Sequence, residues 1–500
     1  MKWIHGLALL LCAALPFAAV ADDAAADGAA APVAHPTLLS APQQTRIGEQ
    51  RLRYRVSFDQ LDFVGANGAR VASIGAIGYL AERADASARP VLFAFNGGPG
   101  ASSVLQVEGL GPRLRVRDGK RQTLIANPHS ILDVADLVFI DPPGTGFSQA
   151  PTDAAARARY WSDHGDAKAV ESMIRHWLKT HGRERAPLYI AGESYGGYRL
   201  ALLAAGIADL RPAGVLLVSP LLDASSGDDS PGNDLRAVFD LPSLVVAAAA
   251  HGKGDLAGQA VENVYAQARA FALGDYAQAL LQGSALPADA RSRMAARLAA
   301  LLGLPPQALL AADLRPDVET FRLGVLAADG RQIGRLDSRV AAPLPALHAA
   351  DNGRPSAAND PALGLGRSNR ITSAAMADYL HGLFGTALPR NYVSLDIDIA
   401  MAWRFSADDG AGARPFGTAL RFNPTPNLAR LAQANPDFHV LALNGYYDLA
   451  VPALGPWYAL HHSALDPARI DFRLLPGGHA VFAEDALRPQ LHNLLKEFLR

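Results

Sequence analysis

The stretch AGESYGGYR, residues 191–199, contains the pattern Gly-x-Ser-x-Gly with Ser194 at its centre. In this pattern the serine lies on a sharp turn between a strand and a helix, where small flanking residues leave room for a strained backbone. The chain has 45 glycines among its 500 residues, so a chance match to five positions is common. The surrounding sequence must therefore decide whether Ser194 is a nucleophile.

Short apolar runs precede each of three glycine-rich stretches. VLFAF (91–95) ends in NGGPG, DLVFI (136–140) ends in DPPGTGF, and PLYIA (187–191) runs into the Ser194 turn. Residues 162–181 carry apolar side chains on one face of a predicted helix. Apolar strands alternating with amphipathic helices predict an α/β fold with a mostly parallel central sheet and helices on both faces. Ligand sites on such sheets lie at the carboxyl ends of the strands, where all three glycine-rich stretches fall.

The regular alternation stops at Asp223, and strand-like sequence resumes at Phe438. The residues between them are mostly Ala- and Leu-rich helical segments with proline breaks, which we expect to form a cap over the ligand site. The sequence predicts five segments, namely a signal peptide (1–21), a flexible leader (22–42), the first part of an α/β-hydrolase core (43–222), a mostly helical cap insertion (223–437) and the second part of the core (438–500).

The first residues have the pattern of an export signal. A basic start is followed by an apolar run over residues 7–20 and by an Ala-x-Ala cleavage site at residues 19–21. The residue before Cys12 is the bulky Leu11, where a lipoprotein signal requires a small residue. Since Cys12 is the only cysteine, we expect a periplasmic or secreted protein without disulfides, thiolate catalysis or cysteine metal ligands.

Composition excludes several classes of function. Half of the residues are hydrophobic and 19% are charged, which is enough apolar sequence for a large buried core. The formal net charge is −2 and no dense run of Lys and Arg occurs, so we expect neither a nucleic-acid partner nor a stable membrane partner. No set of residues has the spacing of a metal site, and the sequence predicts no metal and no cofactor.

A serine hydroxyl needs a base, and the base needs a third group that orients it. The α/β-hydrolase arrangement supplies them in the order Ser, Asp or Glu, His, each directly after a strand. Asp448 follows the apolar stretch at 440–447, and His479 follows FRLLPGG at 472–478. Ser194, Asp448 and His479 thus have the order and the context of a catalytic triad.

Other interpretations of these residues remain open. Asp448 could be an ordinary turn or helix-capping aspartate, and His479 could be one surface histidine among 14. His461 and His462 are rival bases, although they fall in a predicted helix rather than after a strand.

A serine hydrolase also needs two backbone N–H donors that stabilise the oxyanion. One is expected from the residue after the nucleophile, which is Tyr195. The other is expected from the NGGPG loop at residues 96–100, where glycines allow the backbone to approach the substrate, and we assign it to Gly98. The alternative is a Gly-Pro turn without a catalytic role.

Five motifs in this order resemble the serine carboxypeptidase family of α/β-hydrolases. They are NGGPGASS (96–103), DPPGTGFS (141–148), GESYGGY (192–198), NGYYD (444–448) and GGH (477–479). The resemblance covers roughly residues 50–222 and 438–500, and it implies an exopeptidase that releases C-terminal residues from peptides with a free C-terminus through an acyl-enzyme.

The resemblance also implies residues that bind the substrate's terminal carboxylate. Asn96 and Gly97 match the asparagine and first glycine that have this role in the family. Glu193 matches a glutamate that shares a proton with a second glutamate, which usually stands shortly before a Gly-Pro pair. Glu108, ahead of Gly111-Pro112, is the residue that fits this description. An ordinary loop carboxylate is the alternative for Glu108.

The chain departs from the family pattern in places. Ala101 stands where members often have a disulfide-bonded cysteine, which indicates a bacterial branch without disulfides. Residues 480–482 read Ala-Val-Phe where Met-Val-Pro is usual, so side-chain specificity does not transfer. An esterase or an acyltransferase with the same triad, and a non-catalytic binding protein with this fold, are the alternatives to a carboxypeptidase.

Overall fold

A computed structural model describes residues 37–83, 88–118, 121–223, 232–344, 360–363, 369–405 and 423–500. The predicted signal peptide, residues 1–21, lies outside the described residues. Among the helices of the described ranges, none is long and apolar enough to cross a membrane.

The strands, in chain order, are β1 (Thr37–Ile47), β2 (Gln50–Val64), β3 (Arg70–Ala81), β4 (Val91–Phe95), β5 (Arg113–Asp118), β6 (Arg121–Ala126), β7 (Asp136–Asp141), β8 (Leu188–Glu193), β9 (Gly214–Val218), β10 (Arg331–Ile333), β11 (Ala341–Pro343), β12 (Arg370–Thr372), β13 (Val393–Asp396), β14 (His439–Gly445) and β15 (Ile470–Leu475).

The helices are α1 (Leu105–Glu108), α2 (Ala154–Tyr160), α3 (Asp163–Thr180), α4 (Tyr195–Leu203), α5 (Leu235–Ala250), α6 (Val261–Phe271), α7 (Ala277–Leu281), α8 (Ala288–Leu302), α9 (Pro306–Ala311), α10 (Val318–Gly324), α11 (Ala374–Phe384), α12 (Ile397–Met401), α13 (Pro426–Ala434), α14 (Leu454–His461) and α15 (Arg488–Phe498).

Nine strands form the central sheet in the order β1-β2-β3-β7-β4-β8-β9-β14-β15. The pairs from β7 to β15 are all parallel, whereas β1, β2, β3 and β7 pair antiparallel. The chain after β9 leaves the sheet and returns to it at β14, next to β9. This arrangement confirms the predicted α/β-hydrolase fold with a mostly parallel sheet.

The parallel strands are apolar because helices cover both faces of the sheet. Every residue of β4 and of β9 is buried. Alternate side chains of one strand enter different clusters, so that Phe93 packs on one face and Leu92 on the other. Helices α2, α3, α4 and α13 cover the first face, and α11 and α15 pack on the second.

Helix α3 shows how local sequence positions a covering helix. The side chain of Ser162 accepts a hydrogen bond of 3.3 Å from the amide of Gly165 and caps the first turn. Trp177 is fully buried, and its ring meets that of Phe93 edge to face at 5.4 Å between centroids. The helix matches the prediction for residues 162–181 to within one residue at each end.

The predicted leader boundary at residue 42 is wrong, because β1 begins at Thr37. All 11 residues of this strand pair antiparallel with β2 at the edge of the sheet. The Ala- and Pro-containing composition concealed the strand, and an edge strand tolerates Pro42 because one side of its backbone needs no partner in the sheet.

The predicted cap segment, residues 223–437, is not a single unit. Helices α5 to α10 share a separate hydrophobic cluster, which also includes Tyr446 and Leu449 from the loop after β14. Helix α13 instead packs on the sheet through the buried Leu428 and Leu431, so the predicted boundary at residue 437 is wrong. Because the apolar face of α13 covers the sheet, the second part of the core begins before α13.

A second part of the same segment fastens to the core. The amide of Ser102 donates to the carbonyl of Ser394 in β13 at 3.0 Å, and the amide of Asp396 donates to the carbonyl of Gly100 at 2.9 Å. Strand β13 therefore supports the loop after β4 from behind.

Candidate active site

Ser194 lies at the turn between β8 and α4, at the carboxyl end of the sheet. Its backbone has φ 59° and ψ −129°, a conformation that is strained for a residue with a side chain. Three hydrogen bonds fix it: the Ser194 amide donates to the Val218 carbonyl, and the Ser194 carbonyl accepts from the amides of Gly197 and Leu221, each at 2.9 Å. Such an over-determined turn is the geometry expected of a nucleophilic serine.

Asp448 and His479 lie on the loops that follow β14 and β15. The Nδ1 atom of His479 is 2.7 Å from Oδ2 of Asp448. The other oxygen of Asp448 accepts from the amides of Ala450 at 2.7 Å and Val451 at 3.0 Å. Asp448 is fully buried, and these contacts hold its carboxylate in one orientation toward the imidazole.

Residues 335–336 hold the two loops that carry Asp448 and His479. The amide of His479 donates to the carbonyl of Leu336 at 2.7 Å, and the amide of Leu449 donates to the carbonyl of Arg335 at 3.0 Å. The amide of Leu336 in turn donates to Asp360 at 2.7 Å. The position of the His479 backbone thus depends on residues far away in sequence.

Ser194 and His479 line one cavity of about 1070 Å³. Within the described part of the chain, no hydrogen bond joins the Ser194 hydroxyl to the His479 ring. Hydrogen bonds between a nucleophile and its base are often long or poorly aligned in structures without substrate. The lack of this bond therefore does not argue against His479 as the base of Ser194. The rival bases His461 and His462 are exposed at the end of α14, and neither lines this cavity.

The loop after β4 packs directly against the Ser194 turn. A Cβ atom on Gly97 would lie 2.4 Å from the amide nitrogen of Tyr195, closer than any side chain allows. Gly98 follows with an exposed backbone at the cavity. Among the described residues, the amides of Gly98 and Tyr195 donate to no protein group, as expected of two donors reserved for an oxyanion.

Asn96 links the loop after β4 to Glu193. Its side-chain nitrogen donates to Oε1 of Glu193 at 2.7 Å, and its side-chain oxygen accepts from the amide of Leu105 at 3.1 Å. Asn96 and Glu193 are both buried at the cavity wall. Within the described ranges the Oε2 atom of Glu193 is buried without a hydrogen-bond partner. An unpartnered buried oxygen beside a cavity is available to a ligand.

Glu108 ends the short helix α1 and lines the same cavity. Its Oε1 accepts from Nη2 of Arg115 at 2.7 Å, while Oε2 is buried with no partner among the described residues. The structure therefore places Glu108 and Glu193 at the wall of the same cavity, as the sequence predicted. It also places Arg115 beside Glu108, a contact that the sequence did not predict.

The two glutamates influence each other's protonation. Burial raises the pKa of Glu193 well above its usual value, and the nearby charge of Glu108 raises it further. Burial also raises the pKa of Glu108, while the charge of Arg115 opposes the rise. Glu193 is thus the carboxyl group that keeps a proton to higher pH.

Sequence reasoning missed Arg199, although it ends the quoted stretch AGESYGGYR. Arg199 is 1% exposed, and its guanidinium bonds both the carboxylate of Asp166 in α3 and the carbonyl of Asn96. It also lies 5.2 Å from the ring centroid of Tyr195. An arginine about one turn into the predicted helix after Ser194 is the signal that could have identified this contact.

Residues 79–214 match the family model described as serine carboxypeptidase. Among curated proteins, serine carboxypeptidase-like 16 of Arabidopsis thaliana is 32% identical over 149 residues, which is 27% of this chain and 34% of that protein. Serine carboxypeptidase-like 14 of Arabidopsis thaliana is 36% identical over 114 residues, 22% of this chain and 26% of that protein.

The proline iminopeptidase of Mycobacterium smegmatis covers 92% of this chain and 97% of its own, with 13% identity and a TM-score of 0.34, too low to carry a conclusion. The chain spans about a quarter to a third of the length of the curated relatives named above. The matched region includes the loop after β4 and the Ser194 turn, together with Glu108 and Glu193. Residues 79–214 of the chain are therefore similar to the serine carboxypeptidase family.

Proposed function

We propose that the protein is a serine hydrolase that removes C-terminal residues from peptides. The observation that carries the proposal is that one cavity is lined by Ser194 and His479 and by two glutamates, each of which has a buried oxygen without a hydrogen-bond partner among the described residues. The first pair supplies the chemistry of acyl transfer. The glutamates supply a means of binding the carboxyl terminus of a substrate.

In this proposal Ser194 attacks the carbonyl carbon of the last peptide bond. His479 accepts the hydroxyl proton and then donates it to the leaving amine, while Asp448 keeps the imidazole oriented and stabilises its positive charge. The amide bond breaks, the C-terminal residue leaves as a free amino acid, and an acyl-enzyme ester remains on Ser194. Water, activated by His479, then hydrolyses this ester.

The amides of Gly98 and Tyr195 would bind the carbonyl oxygen as it becomes negative. Both donors are fixed before the reaction. Donors that need no reorganisation stabilise the transition state more than the ground state. The close packing of Gly97 on Tyr195 supports this role, since it sets the distance between the two donors.

The carboxylate site explains a preference for the chain terminus. Glu193, with its raised pKa, can hold a proton and donate a hydrogen bond to the terminal carboxylate of the substrate. Asn96 orients Glu193, and the backbone of Gly97 completes the wall. An internal peptide bond presents no carboxylate to these groups, so it would bind less well.

We expect Ser194→Ala and His479→Ala to reduce kcat by a factor on the order of 10⁶, because triad members act as a unit. Asp448→Ala should cost a factor of about 10⁴ by the same comparison. Hydrolysis of a blocked dipeptide and labelling by a fluorophosphonate probe measure both effects. His461→Ala is the matched control and should retain wild-type turnover; a His479→Ala variant with more than a few per cent of wild-type activity would contradict the assignment of the base.

We expect KM for free-acid peptides to rise with pH between about pH 4 and pH 8. Below its folded pKa Glu193 holds the proton that it donates to the substrate, and as the pH rises through this pKa the carboxylate forms and repels the terminus. A peptide with an amidated C-terminus carries no charge and should not show the rise.

Glu193→Gln should flatten this dependence on pH, because an amide keeps its N–H donor throughout. The comparison requires KM for matched acid and amide peptides across the pH range. Parallel behaviour of the two substrates in the wild-type protein would leave a general esterase or acyltransferase as the better description.

Gly97→Ala should reduce kcat by about 10²- to 10³-fold, the usual effect of losing one oxyanion donor. The added methyl group would overlap the Tyr195 amide and displace it. Gly382→Ala in α11 is the control, since its Cβ would meet no atom within 4 Å and should leave turnover unchanged. Wild-type kcat in Gly97→Ala would rule out the proposed position of the oxyanion hole.

A further inference from the structure

Arg115 lies on β5, in the hairpin that β5 forms with β6 beside the cavity. Its Nη2 atom is 2.7 Å from Oε1 of Glu108, and only 20% of its side chain is exposed. The side chain of Glu108 is 10% exposed, so this ion pair is largely shielded from water. A pair in such a place interacts more strongly than one on the surface.

Several carboxyl groups lie together around the proposed carboxylate site. Glu108 and Glu193 each leave a buried oxygen that accepts no hydrogen bond within the described ranges, and a bound peptide terminus adds a third carboxylate. His479 and Arg117 also influence Glu108, and Asp448 adds a negative charge near Glu193. Among the described residues, Arg115 forms the ion pair with one of these two glutamates, Glu108.

We propose that Arg115 is a positioning residue of the site for the substrate's C-terminus: its guanidinium holds Glu108 in place and offsets the negative charge that the terminal carboxylate brings. This inference rests on the proposed carboxypeptidase function. It assigns to the β5–β6 hairpin a role in selecting free-acid substrates, separate from the Ser194 chemistry.

The protonation of Glu108 supports this role. Arg115 contributes the largest of the influences that lower the pKa of Glu108, against the effect of burial. Without Arg115 the pKa of Glu108 would rise further, and binding of a carboxylate would require protons on both glutamates. The cost of acquiring the second proton grows as the pH rises, so the effect of losing Arg115 should grow with pH.

The experiment measures kcat and KM for matched free-acid and amidated peptides in the wild-type protein, Arg115→Met and Arg115→Lys. Arg115→Met should raise KM for the acid peptide by about 10- to 100-fold near pH 7, the range expected when a charged hydrogen bond is lost. Its kcat, and KM for the amide peptide, should change less than about threefold. Arg115→Lys keeps the charge and should recover most of the loss.

Arg121→Met is the matched control, because Arg121 is exposed on β6 of the same hairpin. It should leave the ratio of the two KM values unchanged. Fluorophosphonate labelling of Ser194 verifies that each variant is folded, and Arg115→Gln, which also removes the charge, provides the test if Arg115→Met does not fold.

An Arg115→Met protein whose acid-to-amide KM ratio stays within about twofold of wild type would overturn the inference, as would equal losses for both substrates. Failure of Arg115→Lys to restore the ratio would also overturn it. A wild-type protein that does not distinguish acid from amide would refute the proposed carboxypeptidase function itself, together with this inference.

Discussion

The site depends on the close approach of two backbones at the carboxyl ends of β4 and β8. Gly97 and Gly196 lie where the loop after β4 meets the nucleophile turn, and a Cβ on Gly196 would come within 2.9 Å of the Phe95 carbonyl oxygen. This contact places the loop after β4, which carries the proposed oxyanion donor Gly98, against the amide of Tyr195. The strained conformation of Ser194 persists because the surrounding hydrogen bonds fix it.

Arg199 holds Asn96, the residue before Gly97, through a buried hydrogen bond. Its guanidinium joins Asp166 in α3 to the carbonyl of Asn96, all within the buried core. Removing one member of such a pair would leave a buried charge uncompensated, which costs about 3–5 kcal/mol in comparable cases. The same arginine contacts the backbone of Asn96, whose side chain bonds Glu193, and this couples core packing to the proposed recognition of the substrate.

The central part of the chain does more than cover the cavity. Residues 335–336 bind the loops that carry Asp448 and His479 through backbone hydrogen bonds, and β13 supports the loop after β4. Both halves of the proposed catalytic machinery are thus held by segments that interrupt the sheet in sequence. We expect changes in these segments to alter turnover as well as substrate preference.

The sequence predicted those parts of the fold and of the site whose positions depend on neighbouring residues in the chain. Glycine-rich motifs directly after apolar strands predicted the positions of Ser194, Asp448 and His479, because strand ends in a parallel sheet meet at one edge. Strand β1 was missed because its pairing with β2, not its composition, defines it. Arg115 and Leu336 were missed because their partners are set by a hairpin and by a long-range loop contact. The alternating arginines in RLRVRD, residues 113–118, were the available signal for Arg115.

We propose that this cavity binds the free C-terminus of a peptide before Ser194 attacks. Mass spectrometry of products from a library of N-terminally blocked peptides tests it most directly. We expect loss of single residues from the C-terminus, with the blocked N-terminus intact and amidated peptides cleaved poorly. Fragments from cleavage at internal peptide bonds, at rates similar to terminal release, would contradict it.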